Sequence, residues 1–505
     1  MPQQTRGQGW ILPLSVLIIG TFMSVLDTSI VNVAIPKIQI ELSAAPDDVE
    51  WVVTGYTLAL GVIVPMSGWL GDRIGKTRLY ILSMVGFALA SALCGAAWDL
   101  SSMIAFRIIQ AIPGGILPVV SMTLLYQIVP RDRIGAAMGV YGLGVVVAPA
   151  VGPTLGGYLV EYVNWRLIFY INVPIGILGT LAALAVFPRI RPTSWPKFDL
   201  WGFVTIAYGL FALLLATSEG QNWGWSGYRI QGLFISGLLS LALYVVIELE
   251  VENPLIDLRI FQGWPYVNSI LLLGIAVTGL FTVLYFIPQF LQVVQGMQAL
   301  DAGLVLVPSA VVLVVLMPLA GRIYDLFGPR WPVAIGLAIM AYGSYLLAGL
   351  TPSTPSFDIE VWTSIRNVGT GLAMMPIMAS GISSLPVQLT GAGSGMNNVM
   401  QRVASSVAVA VFGSLGASAS AQLTNDRGAL YASGAEALPQ VSAAAGQGPS
   451  GLLGMYQAMS MQVTTQTYDN GFYIVTLMCA GGVVLALLLR SGKPKTSAEP
   501  VHVEV

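Results

Sequence analysis

Apolar residues run along this chain in long unbroken stretches, separated by short segments that hold nearly all of its charge. Apolar and polar positions do not alternate in steps of two, so the stretches read as helices rather than strands. Their lengths approach the roughly 20 residues that a helix needs to cross a bilayer core. Fourteen spans are predicted, near 11–36, 50–70, 79–97, 101–128, 135–160, 167–187, 201–217, 229–249, 266–292, 302–320, 331–350, 361–385, 393–415 and 471–490. Two polar segments divide the series: "PRIRPTSWPKFD" (188–199) after the sixth span and "ELEVENPLIDLRIF" (248–261) after the eighth. The layout expected is an N-terminal six-helix bundle over 1–190 and a linker with two additional transmembrane helices over 191–262. A C-terminal six-helix bundle follows over 263–490, then a cytoplasmic tail over 491–505. Residues 416–468, rich in Ala, Ser, Gly and Gln, are expected to form an outside loop.

Composition supports the membrane reading. The 505 residues are 55% hydrophobic and 9% charged, with mean hydropathy +0.78. A soluble domain carries about 25% charged residues, and so few charges could not shield this much apolar surface from water. The first apolar stretch runs on well past the length of a signal peptide and is read as an uncleaved span. With the N-terminus placed inside, Lys37, Arg166, Arg229 and Arg427 fall in outside loops, and three arginines fall within spans. The other lysines and arginines lie on the cytoplasmic side, as the positive-inside rule asks. Both termini are therefore expected in the cytoplasm, the lipid bilayer being the chain's solvent. No basic stripe exists for nucleic acid. The two cysteines lie in apolar runs and read as small buried side chains. The single histidine, His502, leaves no histidine-based metal or catalytic site. No phosphate loop or nucleophile–base pair appears either, so an enzyme is not expected.

A repeat organises the spans. "GWLGDRIGKTR" (68–78) and "GRIYDLFGPR" (321–330) each follow the second span of a six-helix half. Gly68, Asp72 and Gly75 recur as Gly321, Asp325 and Gly328, each 253 residues on. A tight turn needs glycine for backbone freedom, and the carboxylate can face the positive N-terminus of a neighbouring helix. Duplicated halves with a path between them are a transporter plan.

These motifs resemble the major facilitator superfamily, and within it the fourteen-helix drug:proton antiporters of the EmrB/QacA type. "LDTSIVNVAIPKI" (26–38) resembles that family's first-helix motif. "GWLGDRIGKTR" resembles its loop motif. "RIIQAIPGG" (107–115) resembles its fourth-helix motif, with Ala111 where glycine is usual. "APAVGPTLGG" (148–157) resembles the fifth-helix motif of antiporters. "WRLIFYINVPIG" (165–176) and "NPLIDLRIF" (253–261) are further marks of the fourteen-helix branch. The resemblance covers essentially the whole chain. It implies two six-helix bundles related by a pseudo-two-fold plus two linker helices, in the inner or plasma membrane of a bacterium.

Asp27 is the one acid that the predicted spans place deep in a helix. A charged side chain there costs about 2.5–3.5 kcal/mol, and desolvation raises a carboxylate's pKa. Such a group can carry a proton. It can also be a structural aspartate bonded to Thr28, Asn32 or a neighbouring helix. Arg107, Arg366 and Arg402 also fall in spans and stay charged. Arg107 matches the family's fourth-helix arginine, thought to help the aspartate release its proton; a packing clamp on backbone carbonyls is the other reading. One acid against three arginines favours anionic or amphipathic cargo.

In span five Pro149, Gly152, Pro153, Gly156 and Gly157 predict a bent helix packed against the opposite half. Arg73 and Asp132 are expected to pair across two cytoplasmic turns as part of a gate with Gly68, Asp72 and Gly75. Met23, Tyr56, Gln110, Gln289, Arg366, Asn397, Gln401 and Arg402 are candidates for a substrate cavity. The expected activity is proton-coupled efflux of small hydrophobic or amphipathic compounds by alternating access. It is powered by the proton gradient, with no cofactor and no metal. The alternative is a dedicated exporter of one metabolite, lipid or antibiotic on the same scaffold. Some relatives of this type work with an envelope adaptor, and the sequence leaves that partner open.

Overall fold

The computed structural model describes residues 9–130, 133–188, 197–225, 227–252, 254–386, 389–408 and 449–489. Among them there is helix and no strand. The first bundle contains α1 (Ile11–Glu41), α2 (Trp51–Ile63), α3 (Met66–Ile74), α4 (Lys76–Gly95), α5 (Leu100–Ile128), α6 (Ile134–Tyr162) and α7 (Asn172–Val186). A hairpin of α8 (Leu200–Trp223) and α9 (Tyr228–Glu250) follows. The second bundle contains α10 (Trp264–Gln289), α11 (Ala299–Phe327), α12 (Arg330–Leu347), α13 (Ser356–Ser383), α14 (residues 390–408) and α15 (Pro449–Leu487). Nine of the described helices are long and apolar enough to cross a membrane, ten if α2 and α3 form one broken span.

That break is a bend of 59°, absent from the continuous span expected over 50–70. It falls at Pro65, which can donate no backbone hydrogen bond. The repeated turns are also more helical than expected. Gly68, Asp72 and Arg73 lie on α3, and Gly321 and Asp325 on α11, so the loops shrink to single glycine corners. Gly75 and Gly328 take φ of 93° and 77° there, a region that strains any residue with a side chain. The last helix begins at Pro449, so residues 449–468 belong to it and not to a loop. Leu, Met and Gln in that stretch are good helix formers. The rest of the outside loop, residues 416–448, lies outside the described residues, as does the tail.

Within the first bundle α1 is the central post. Tyr80 Oη donates to the carbonyl of Val16 at 2.6 Å, and the hydroxyls of Thr21 and Tyr141 meet at 2.9 Å. These bonds fix α4 and α6 against α1. The two bundles meet along α6 and α11, where glycines bring the backbones together. A Cβ on Gly135 or Gly321 would collide with the facing backbone, and one on Gly139 would lie 2.6 Å from the Met317 carbonyl. The hairpin packs through α8 onto α2, where Leu214 fills the notch left by Gly61.

Candidate functional site

Asp99 caps α5, its carboxylate accepting the Ser102 amide at 2.7 Å. That start sets the register of the helix. Arg107, Gln110 and Gly114, spaced three and four residues apart, then share one face. Ser24 of α1 donates to the Gly114 carbonyl at 2.8 Å and aligns the two helices. Asp27, one turn along α1, meets Arg107: Nη1 donates to Oδ2 at 2.5 Å. Oδ1 accepts from Gln110 Nε2 at 2.9 Å and from Asn172 Nδ2 at 3.2 Å. Ser91 of α4 accepts from both amides, at 2.6 and 3.3 Å. Cys94 donates its thiol to Gln110 Oε1 at 3.5 Å. Asp27 is 0% exposed and Arg107 1%, so in this state the pair is closed to solvent.

The carboxylate's partners come from α5 and α7. Thr28, offered as one alternative, instead donates to the Val25 carbonyl of its own helix. Arg107 has further support. Its Nε donates to the Val52 carbonyl at 3.2 Å and its Nη1 to Gln110 Oε1 at 2.7 Å, while Tyr56 lies under the guanidinium with its ring centroid 3.9 Å away. Arg107 therefore holds a carboxylate and a backbone carbonyl at once. Chemically, a proton on Asp27 removes the counter-charge of Arg107 but not its other partners. Gln110, Val52 and the Tyr56 face remain to hold it.

The other predicted residues scatter. Gln110 belongs to the Asp27 cluster. Tyr56, fully buried, stacks on Arg107 and is also the titratable neighbour of Arg402 in the second bundle. Met23 is buried in the apolar core. Gln289 is half-buried at the end of α10, and Gln401 bonds to the Asn397 carbonyl one turn back at 3.4 Å. Arg366 is enclosed by its own bundle, which fits poorly with lining a passage. A cavity of about 200 Å³ opens where α2, α8, α10 and α14 meet, lined by Thr54, Thr57, Thr217, Ser218, Phe281 and Ser405 among others. None of the candidate cavity residues lines it.

The gate candidates separate as well. Asp325 accepts from the amides of Gly135 and Ala136, each at 2.8 Å, and so caps the N-terminus of α6 across the bundle interface. Its counterpart Asp72 is half exposed and pairs with Lys76 at 3.4 Å. Arg73 lies over the Trp69 ring, while Asp132 lies outside the described residues. Gly152 and Gly156 pack on Ser29 and Ile30 of α1, in their own bundle. The contact with the opposite half, expected of this motif, is made upstream by Gly135, Gly139 and Gly142. Gly157 faces open space, and the side chains of Pro149 and Pro153 lie outside the described residues.

Sequence reasoning missed Asn172 and Ser91, single polar residues in apolar runs. It also left Glu248 at a linker boundary. Glu248 is buried, and its carboxylate accepts from the amides of Leu255 and Ile256 at 3.1 and 3.3 Å, anchoring the segment that leads into the second bundle.

Two helical bundles, joined by a hairpin and holding a sealed ion pair inside one of them, define a polytopic membrane transporter. The Major Facilitator Superfamily model matches residues 17–409. The chain belongs to that superfamily, among proteins of the drug:proton antiporter type. It is 31% identical to the multidrug export protein EmrB of Escherichia coli, over 78% of each chain. It is 30% identical to the tetracenomycin C resistance and export protein of Streptomyces glaucescens, over 82% of this chain and 77% of that one. An uncharacterized MFS-type transporter of Bacillus subtilis, YhcA, is 31% identical over 95% of this chain and 93% of its own. Among solved structures, the proton:xylose symporter XylE superposes with TM-score 0.64 at 13% identity, covering 96% and 97%. That likeness concerns the fold alone.

Proposed function

We propose that the protein is a proton-coupled exporter of small hydrophobic or amphipathic compounds, working by alternating access in a bacterial inner or plasma membrane. The observation that carries this reading is the buried Asp27–Arg107 pair, with Gln110 and Asn172 on the same carboxylate. A proton on Asp27 removes the negative charge and loosens the hold on Arg107. Loss of that proton restores the pair and, with it, the packing of α1 against α5. Binding and release of one proton thus changes how two helices of the first bundle are fastened. Transport work comes from the proton gradient, at about 2.3 kcal/mol per charge per 100 mV and about 1.4 kcal/mol per pH unit. The multidrug and antibiotic exporters among the relatives support the direction and the cargo class.

The test is efflux from everted vesicles across a panel of unrelated dyes and drugs, with and without a proton uncoupler. Uncoupler-sensitive export of several chemically unrelated compounds is expected. Export of one compound alone would favour the dedicated exporter, and export that ignores the uncoupler would sink the coupling.

A further inference from the structure

The second bundle holds a buried arginine of its own. Arg366 of α13 is 0% exposed, and its Nε donates to Ser344 Oγ at 3.0 Å. Nη1 and Nη2 have no hydrogen-bond partner among the described residues. Arg107, at the matching place in the first bundle, has a carboxylate, an amide oxygen, a backbone carbonyl and an aromatic face.

The two sites correspond in part: Arg366 lies 259 positions after Arg107. Ser344 lies 253 positions after Ser91, the offset that relates the two glycine corners. The same offset carries Asp27 to Leu280, and the residue beside it, Gly279, is the one that faces Arg366. A Cβ on Gly279 would lie 2.9 Å from Nη2. The second bundle thus sets a buried cation beside a serine, with glycine where a carboxylate would reach. The thiol of Cys479 lies near Arg366, and Met340 and Val475 face the same point beside Gly279. An enclosed charge without a counter-charge is unfavourable. Arginine does not escape that cost by losing its proton.

We infer that Arg366, Ser344 and the bare backbone at Gly279 form a site for one small monovalent anion, chloride in the cell. The anion supplies in the second bundle the charge that Asp27 supplies in the first. The unbonded Nη1 and Nη2 groups are its donors. A single fixed positive charge matches a single negative one, which favours a halide over a phosphate. Helices α10, α12 and α15 close around the arginine and keep bulky carboxylate cargo away from it. The site requires nothing of the transport reading.

The experiment uses the purified full-length protein in nanodiscs, melted in sodium chloride and in sodium gluconate at equal ionic strength. A saturable rise in melting temperature of a few degrees with chloride is expected. Gly279→Asp places a carboxylate at the guanidinium and is expected to raise the melting temperature in gluconate and to abolish the chloride response. Arg366→Met is expected to abolish that response too. Line broadening of the chlorine-35 resonance gives a second measurement on the unaltered protein, should a variant fail to fold. Broadening beyond that of empty nanodiscs is expected. Equal melting in both salts, a full chloride response retained by either variant, or broadening no greater than that of empty nanodiscs would overturn the inference.

Discussion

The two halves share a plan and use it differently. In the first, the glycine corner is idle: Gly68 faces open space and Asp72 pairs with a lysine on its own turn. In the interior of that half Asp27 and Arg107 satisfy each other. In the second, the corner is engaged: Gly321 meets the backbone of Gly135, and Asp325 caps α6. Its Arg366 has no acid partner among the described residues. Repetition of a motif therefore says where a contact can form, while the facing surface decides whether it does. The buried ion pair sits in one half, and the closed seam is fastened by the other.

That division can be broken experimentally, and the largest effect is expected at Asp27. Asp27→Asn should reduce uncoupler-sensitive efflux to background. It should also cost about 3–5 kcal/mol, because Arg107 is left buried without its counter-charge. Vesicle efflux and thermal melting measure the two, and full transport by this variant would end its assignment as the proton carrier. Gly321→Leu comes next. It drives a side chain into the backbone of α6, with an overpacking cost of about 1–3 kcal/mol, and should stop turnover while the protein still inserts. The same change at Gly68 should stay within about 0.5 kcal/mol; equal effects at the two sites would erase the asymmetry.

Smaller effects sharpen the comparison. Asp325→Asn removes a charge from the start of α6, where such charges contribute about 0.3–1 kcal/mol. Hydrogen exchange at the amides of Gly135 and Ala136 should quicken by several fold. Asp72→Asn should leave those amides unchanged and alter stability by no more than about 1 kcal/mol, as expected for an exposed ion pair.

Much of this was legible in the chain. Long apolar runs gave the helices their places, and the glycine corners announced themselves through spacing. Asp27 stood out because a lone acid in a long apolar run is rare. Its surroundings did not. Asn172 and Ser91 are ordinary polar residues in their own helices, and only the convergence of α1, α4, α5 and α7 gives them a common target. Gln110 was visible but assigned to a cavity, since sequence does not reveal which way a helix face turns. The bend at Pro65 had its signal in the proline itself. The role of Gly135 had none nearby, because its reason lies on α11, far along the chain.

Each bundle also carries one thiol, and these two are the chain's whole complement. Cys94 touches Gln110 beside Arg107, and Cys479 neighbours Arg366. Both are sealed in this state. Alkylation by a water-soluble maleimide would therefore time the wetting of each bundle separately, with the native residues serving as the clock.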